Sequence, residues 1–312
     1  MVAPSAPSPV DAARSAWERT RASLFPIRPG KWIALGLLAF LDQCGRTFRG
    51  GGGPGGGGRF QPAEPPWSGS WTSWTEAVQR AAEWLSAHAA AVAVGTLAAV
   101  LAFALVAAVV LWINARGVFM YAEAVATDRW DLGRLWSENA RAASSYFGWS
   151  LGLSLAGLFA LLLALGLSAT AVVAFASGRL AGSGGVLAAA ALAPVVLLLL
   201  LALPAVALAA LALRDFVAPL QLATGLPCAA AARLLESLAV AQPGAFVLYL
   251  LVKLLIVVAS GVVIAVGGCL TCCIGFLPVV MQAVFQPLFH FERGFSIELL
   301  RQMGHDAAAV RR

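Results

Sequence analysis

Four long stretches of this chain contain no Asp, Glu, Lys or Arg. They cover residues 84–115, 142–178, 180–213 and 254–291. About 20 apolar residues are enough for one helix to cross the hydrocarbon core of a bilayer. Because an unpaired backbone amide is costly in lipid, such runs must be helical. The pattern therefore predicts an all-α fold, a polytopic bundle of transmembrane helices.

The lengths of the apolar runs set the number of predicted spans. The run 254–291 would be about 57 Å long as one helix, twice the thickness of the bilayer core. It is therefore expected to fold back, with Gly267-Gly268 as the turn. A shorter apolar stretch counts as a span only if Asp42 and Gln43 lie inside the membrane. The six predicted spans cover about 32–48, 88–113, 146–175, 186–213, 244–266 and 270–291.

Positive charge is distributed unevenly around these six spans. One side of the membrane would carry three times as many Lys and Arg residues as the other. Since Lys and Arg are enriched in cytoplasmic loops, the sequence predicts a multi-pass protein of the cell inner (plasma) membrane with both termini in the cytoplasm. The expected organisation is a cytoplasmic tail with an interfacial helix (1–30), a membrane domain (31–292) with a Gly- and Trp-rich outer loop (49–75), and a cytoplasmic tail (293–312).

Similar short segments suggest an internal repeat. Segments that combine Arg and Glu with Trp or Leu precede the first, third and fifth spans, at 14–18, 134–138 and 233–236. Segments in which Phe closely follows Arg end the second, fourth and sixth spans, at 116–119, 214–217 and 293–295. The predicted unit is a cytoplasmic interfacial helix and a helical hairpin, present three times. The alternative is that polytopic proteins in general place Arg at cytoplasmic helix ends.

The overall composition agrees with a membrane protein. Hydrophobic residues make up 60% of the chain and charged residues 12%, whereas about 25% of a soluble domain is charged. Most arginines lie beside the apolar runs, where they would face anionic headgroups. No segment is long enough to be a basic nucleic-acid-binding domain. The lipid bilayer is the expected partner, other membrane proteins are a further option, and nucleic acid is not expected.

Lys253 is the first candidate for function. It lies about ten residues into the fifth span, about 15 Å deep. A charge at that depth is expensive and is a functional candidate by default. Asp42 in the first span is a candidate counter-ion. The alternative is that the Lys253 side chain extends to the cytoplasmic interface.

Gln282, Gln286 and His290 form a second group of candidates in the sixth span. Their spacing of four residues places them on one face of a helix. Such a polar face would line a cavity or a proton path, and the commoner alternative is hydrogen bonding between packed helices.

Cys269, Cys272 and Cys273 form a candidate thiol cluster at the predicted outer turn. In an oxidising compartment one pair could form a disulfide, whereas small, buried membrane residues are the plainer interpretation. A fourth ligand for zinc is not close in the sequence. No metal, no cofactor and no catalytic group of residues is predicted, so the protein is not expected to be an enzyme.

Three segments carry a resemblance to known proteins. They are Arg-Gly-Val-Phe-Met at 116–120, Arg-Asp-Phe-Val-Ala-Pro-Leu at 214–220, and the stretch from Thr271-Cys272-Cys273 to Leu300-Arg301-Gln302-Met303-Gly304. The chain resembles uncharacterised bacterial six-span membrane proteins, which are similar to the membrane domain attached to some glycerophosphodiester phosphodiesterases. The catalytic barrel of those enzymes has no counterpart here. The resemblance therefore implies a membrane module and no hydrolytic activity.

Two functions remain open from the sequence. The first is a membrane-embedded scaffold or interaction module. The second is a small solute or ion transporter or channel that uses Lys253 and the face formed by Gln282, Gln286 and His290. Few charges at membrane depth favour the first.

Overall fold

The computed structural model describes residues 7–44, 84, 86–176, 184–270, 277 and 279–309, with side chains of 170–192 left aside. Within these residues the regular structure is helical throughout. The elements are α1 (Pro9–Leu24), α2 (Pro29–Gln43), α3 (Ala89–Thr127), α4 (Leu132–Glu138), α5 (Ala140–Ala176), α6 (Gly184–Ala212), a π-helical turn (Leu213–Val217), α7 (Ala218–Thr224), α8 (Cys228–Ala241), α9 (Pro243–Leu270), α10 (Val280–Val284) and α11 (Gln286–Gln302).

Four segments of the described chain are long and apolar enough to cross a membrane. They are Ala89–Thr127, Ala140–Ala169, Ala193–Thr224 and Pro243–Leu270. Their apolar side chains point outward, and Leu105, Phe159 and Leu255 are 67%, 68% and 70% exposed. An apolar surface of this extent is typical of helices that face lipid. The prediction of an all-helical, multi-pass membrane protein is confirmed at the level of four candidate spans.

The buried core lies at one end of these long helices. In α3 the buried residues begin at Leu111 and continue to the end of the helix. Tyr146 near the start of α5 and Tyr249 near the start of α9 belong to the same core, as does Leu213 after α6. Because the core contains the C-terminal ends of α3 and α6 and the N-terminal ends of α5 and α9, the four helices alternate in direction.

Helix α2 lies antiparallel against the C-terminal half of α3. At one end Lys31 Nζ lies 2.7 Å from Asp128 Oδ1, and at the other Asn114 Nδ2 donates to the Asp42 carbonyl oxygen at 2.7 Å. The helices approach closely at Gly117, where a Cβ atom would lie 2.6 Å from Leu41 Cβ. Only glycine permits this backbone approach.

Helix α11 packs along α1 and belongs to the core. The Arg19 Nη2 and Glu298 Oε1 atoms lie 2.7 Å apart, and the Ser8 amide donates to Gln302 Oε1 at 2.8 Å. Residues 292–300 of α11 are all buried. The predicted boundary between the membrane domain and a cytoplasmic tail at 292/293 therefore falls inside a packed helix.

The turn predicted at Gly267-Gly268 is wrong, since α9 continues through both glycines to Leu270. A Cβ atom on Gly267 would lie 2.7 Å from Phe285 Cζ. The glycine serves close packing of α9 against the junction between α10 and α11, and it does not reverse the chain. Pro287 explains that junction, because it has no N–H to continue a helix from α10.

The short segments predicted before the odd-numbered spans do form helices, namely α1, α4 and α8. They precede α2, α5 and α9 in the chain. Helix α2 has 15 residues, which is about 22 Å and shorter than the bilayer core. Neither α2 nor α11 is among the four candidate spans. The predicted outer loop at 49–75 lies outside the described residues.

Candidate functional site

Six charged side chains meet where α2, the π-helical turn, α9 and α11 converge. This charge cluster consists of Asp42, Arg214, Asp215, Lys253, Glu292 and Arg293. Each residue is buried, with exposures from 0% for Arg293 to 7% for Arg214 and Glu292. Three are acidic and three are basic, so their formal charges cancel. Mutual neutralisation is the condition under which charges are tolerated away from water.

Arg214 lies at the centre of the charge cluster. Its Nε donates to both carboxylate oxygens of Asp42, at 3.2 and 3.1 Å, and its Nη2 also donates to Asp42. Its Nη1 lies 3.1 Å from Asp215 Oδ1 and 3.4 Å from Glu292 Oε1. A planar guanidinium can hold several carboxylates in fixed directions, which a point charge cannot. Arg214 therefore links α2 to α11.

Lys253 supplies the second bridge between acids. Its Nζ lies 2.8 Å from Asp215 Oδ2 and 3.0 Å from Glu292 Oε1. The Tyr249 hydroxyl, one turn earlier in α9, donates to Asp215 Oδ2 at 2.9 Å. Helix α9 is thus attached to the cluster by two polar side chains on one face.

Arg293 connects the cluster to the backbone of two other helices. Its Nη1 donates to the Arg214 carbonyl oxygen at 2.7 Å, and its Nη2 donates to the Val118 carbonyl oxygen at 3.0 Å. Its Nη1 also lies 3.7 Å from Asp215 Oδ1. The Arg214 carbonyl oxygen is free of a helical hydrogen bond, which is unusual because the amide four residues later normally donates to it.

The π-helical turn explains why the Arg214 carbonyl oxygen is free. Pro219 lacks the N–H that would donate to the Asp215 carbonyl, and a proline ring disturbs the preceding helical turn. The Ala218 amide donates to Leu213 and not to Arg214. A widened turn of this kind often occurs at functional sites. Here both charged residues of the turn, Arg214 and Asp215, are buried in the core.

The cluster lies at the level where apolar surface begins. Lys253 is 4% exposed, whereas its neighbours Leu254 and Leu255 are 60% and 70% exposed. One turn of α9 therefore presents charge to the interior and apolar side chains outward. The Lys253 ammonium does not extend to a surface. Asp42, its predicted counter-ion, is in the same cluster but pairs with Arg214.

Gln282, Gln286 and His290 do not share one helix, because α10 ends at Val284 and α11 begins at Gln286. All three are buried. Gln282 Nε2 donates to Gln43 Oε1 at 3.4 Å, and Gln286 Nε2 donates to the Tyr121 hydroxyl at 3.0 Å. Each side chain thus contacts another helix. This arrangement corresponds to hydrogen bonding between packed helices, which is the alternative to a cavity or a proton path.

His290 contacts α1 through Thr20, with 3.0 Å between Nδ1 and Oγ1. Its Nε2 is buried without a hydrogen-bond partner among the described residues. Burial, assisted by the nearby charges of Lys31 and Arg19 and opposed by that of Asp128, lowers the pKa of His290 to about 4. The imidazole is therefore neutral in the folded protein near pH 7.

Cys269 has an exposed, free thiol near the end of α9. Cys272 and Cys273 lie outside the described residues, so the predicted thiol cluster stays a prediction. Within the described part of the chain, no group of three His, Cys, Asp or Glu residues is arranged to hold a metal ion.

Four members of the charge cluster were not among the predicted site residues: Arg214, Asp215, Glu292 and Arg293. Each lies at the end of an apolar run, where the sequence favours a role in membrane topology. The signal that could have identified them is the pairing of acid with base at two such ends, Arg214-Asp215 and Glu292-Arg293. Surface arginines need no adjacent acid to face headgroups.

The four long apolar helices indicate a helical integral membrane protein. The chain belongs to the Family of unknown function (DUF7544), whose model matches residues 7–301. No curated protein matches the chain, and no solved structure matches it. The resemblance to the membrane domain of glycerophosphodiester phosphodiesterases finds no support in these comparisons.

Replacing Lys253 with Met should destabilise the protein strongly. The change leaves Asp215 and Glu292 with too little positive charge, and breaking a buried ion pair on one side costs about 3–5 kcal/mol. Adding Glu292→Gln restores the balance of charges and should recover part of that loss. Thermal unfolding in detergent measures both effects.

The matched control is Arg141→Met at an exposed position, which is expected to change stability by less than about 0.5 kcal/mol. A Lys253→Met protein as stable as the parent contradicts this account of the cluster.

Acidification should destabilise the fold through His290. The unfolded side chain titrates near its ordinary pKa of about 6.5, while the folded one has a pKa of about 4. Between these values the unfolded state binds more protons, so stability falls as the pH is lowered, by up to about 3 kcal/mol. His290→Gln, which keeps a polar group beside Thr20, should flatten the dependence. Unfolding curves at pH 7.0 and 4.5 give the loss of stability on acidification for the parent and for His290→Gln. An equal loss for both proteins would refute this prediction.

Proposed function

We propose that the protein is a membrane-embedded scaffold without catalytic activity, which holds other membrane proteins through its apolar helices. The observation that carries this proposal is that every member of the charge cluster lies within ion-pair distance of an opposite charge. Arg214 and Lys253 are each shared between carboxylates, and Arg293 is committed to two backbone carbonyl oxygens. Charged groups committed in this way stabilise packing and are not free to bind a passing ion.

The exposed apolar surface supports the same role. Leu105 on α3 and Leu255 on α9 are at least two-thirds exposed, so the parts of these helices that carry them present an apolar surface to the outside. Helices in a bilayer associate through packing and a few polar contacts, without a hydrophobic driving force. Their outer faces are consequently available to lipid or to helices of other proteins.

The topology proposed with this function has six crossings arranged as three hairpin repeats. The protein would lie in the cell inner (plasma) membrane with both termini in the cytoplasm. Helix α2 would lead into the first crossing and α10 would end the sixth, leaving α11 on the cytoplasmic side. The positions of α1, α4 and α8 before α2, α5 and α9 support the repeat. Lys and Arg are in excess at the end of the long helices where the buried core lies. This excess supports a cytoplasmic location for that end.

The purified protein in liposomes should conduct neither protons nor potassium or chloride ions above the rate of protein-free liposomes. The physical reason is that Lys253, Gln286 and His290 are buried and hold neighbouring helices together through ion-pair and hydrogen-bond contacts to Asp215, Tyr121 and Thr20. Internal pH dyes and potassium- or chloride-sensitive dyes provide the measurement. The double variant Lys253→Met/Glu292→Gln is the control. Flux through the parent that is lost in this variant would contradict the scaffold and favour the transporter.

The scaffold itself is tested by photo-crosslinking in native membranes. A photoreactive residue at Leu105 or Leu255 should give a protein adduct of discrete mass from at least one of the two positions. The matched control position is Leu135, which is 2% exposed and should give no adduct with another protein. Adducts with lipid alone from both exposed positions would contradict a scaffold built on these helices.

A further inference from the structure

Arg116 on α3 differs from two other arginines that lie at the ends of apolar runs, Arg214 and Arg293. Arg214 and Arg293 lie in the charge cluster, where carboxylates neutralise them. Arg116 makes no ion pair with any residue that the structure describes. Its Nη1 donates to the Trp136 carbonyl oxygen at 3.1 Å, and its Nε is buried without an acceptor among those residues. Its positive charge is therefore uncompensated within the described chain.

Two indole rings hold the Arg116 guanidinium. Its Cζ lies 4.7 Å from the ring centre of Trp112 and 4.7 Å from that of Trp136. The two rings meet edge to face, with centroids 5.8 Å apart. Attraction between a cation and an indole ring fixes the position of the guanidinium without cancelling its charge. The residue is thus oriented in advance while staying able to bind an anion.

The location of this group indicates which anion is available. Trp112 is 39% exposed and is the last large exposed apolar residue of the outward-facing part of α3. Arg116 follows one helical turn later, about 6 Å further along the axis. Tryptophan is enriched at the level of lipid headgroups. The guanidinium therefore lies where the apolar surface ends, at the depth of lipid phosphates.

We propose that Arg116, Trp112 and Trp136 form a binding site for the phosphodiester of an anionic phospholipid. Arginine donates along the edges of a planar fork that matches a phosphate group. Nη1 is directed to Trp136 and Nε is buried, so Nη2 is the donor that would receive a phosphate oxygen. The site does not depend on the proposed scaffold role.

The test is a titration of the delipidated protein in detergent with phosphatidylglycerol, followed by native mass spectrometry. Arg116→Gln should bind this lipid about fivefold more weakly, since it removes a charge-assisted hydrogen bond to the phosphate. Arg141→Gln is the matched control, because Arg141 is exposed and early in α5, and its affinity should be unchanged. Trp112→Leu should show a smaller loss in the same direction. Thermal unfolding verifies that each variant is folded.

The proposal is overturned if Arg116→Gln and Trp112→Leu both bind like the parent, if Arg141→Gln loses as much affinity as Arg116→Gln, or if phosphatidylcholine binds as tightly as phosphatidylglycerol. A separate arm adds millimolar inorganic phosphate to the titration. Little displacement is expected, because a free phosphate lacks the acyl chains that place the group at this depth. Full displacement would assign the site to soluble phosphate and refute the lipid.

Discussion

The cost of burying charge is the constraint on which the rest of this structure depends. A single buried ion loses several kcal/mol of hydration, and only close partners of opposite charge compensate. The charge cluster meets that condition with three acids and three bases drawn from four parts of the chain. Any relative movement of α2, α9 or α11 would separate opposite charges. The cluster therefore defines how these helices meet, even if an apolar core of similar shape would be as stable.

A local feature of the backbone makes this arrangement possible. Pro219 has no amide proton to donate to the preceding turn, and that turn is π-helical. As a result, the carbonyl oxygen of Arg214 is available to accept a hydrogen bond from Arg293. The same turn places Arg214 and Asp215 together in the core. Away from the cluster the long helices are largely exposed and present leucine, valine and phenylalanine to the outside. Polar interactions thus fix one end of the bundle, while the other is left to lipid and to neighbouring helices.

Long apolar runs made the helices and the membrane environment predictable from the sequence, because length and composition suffice for that. Lys253 and Asp42 were also identifiable, since a charge inside an apolar run has few explanations. Arg214, Asp215, Glu292 and Arg293 were not, because charges at the ends of runs are expected in any membrane protein. The turn predicted at Gly267-Gly268 failed for a different reason. Glycine permits both turns and close packing, and only the position of Phe285 distinguishes them.

The central claim is that the charge cluster is a dry junction of paired charges and not part of a water-filled path. A cryo-electron microscopy structure in lipid nanodiscs, at a resolution that shows ordered water, tests it most directly. The account predicts that Lys253 contacts Asp215 and Glu292, that Arg214 contacts Asp42, and that no chain of water reaches them from either side. A continuous column of water through the cluster, with Lys253 turned away from both carboxylates, would contradict it.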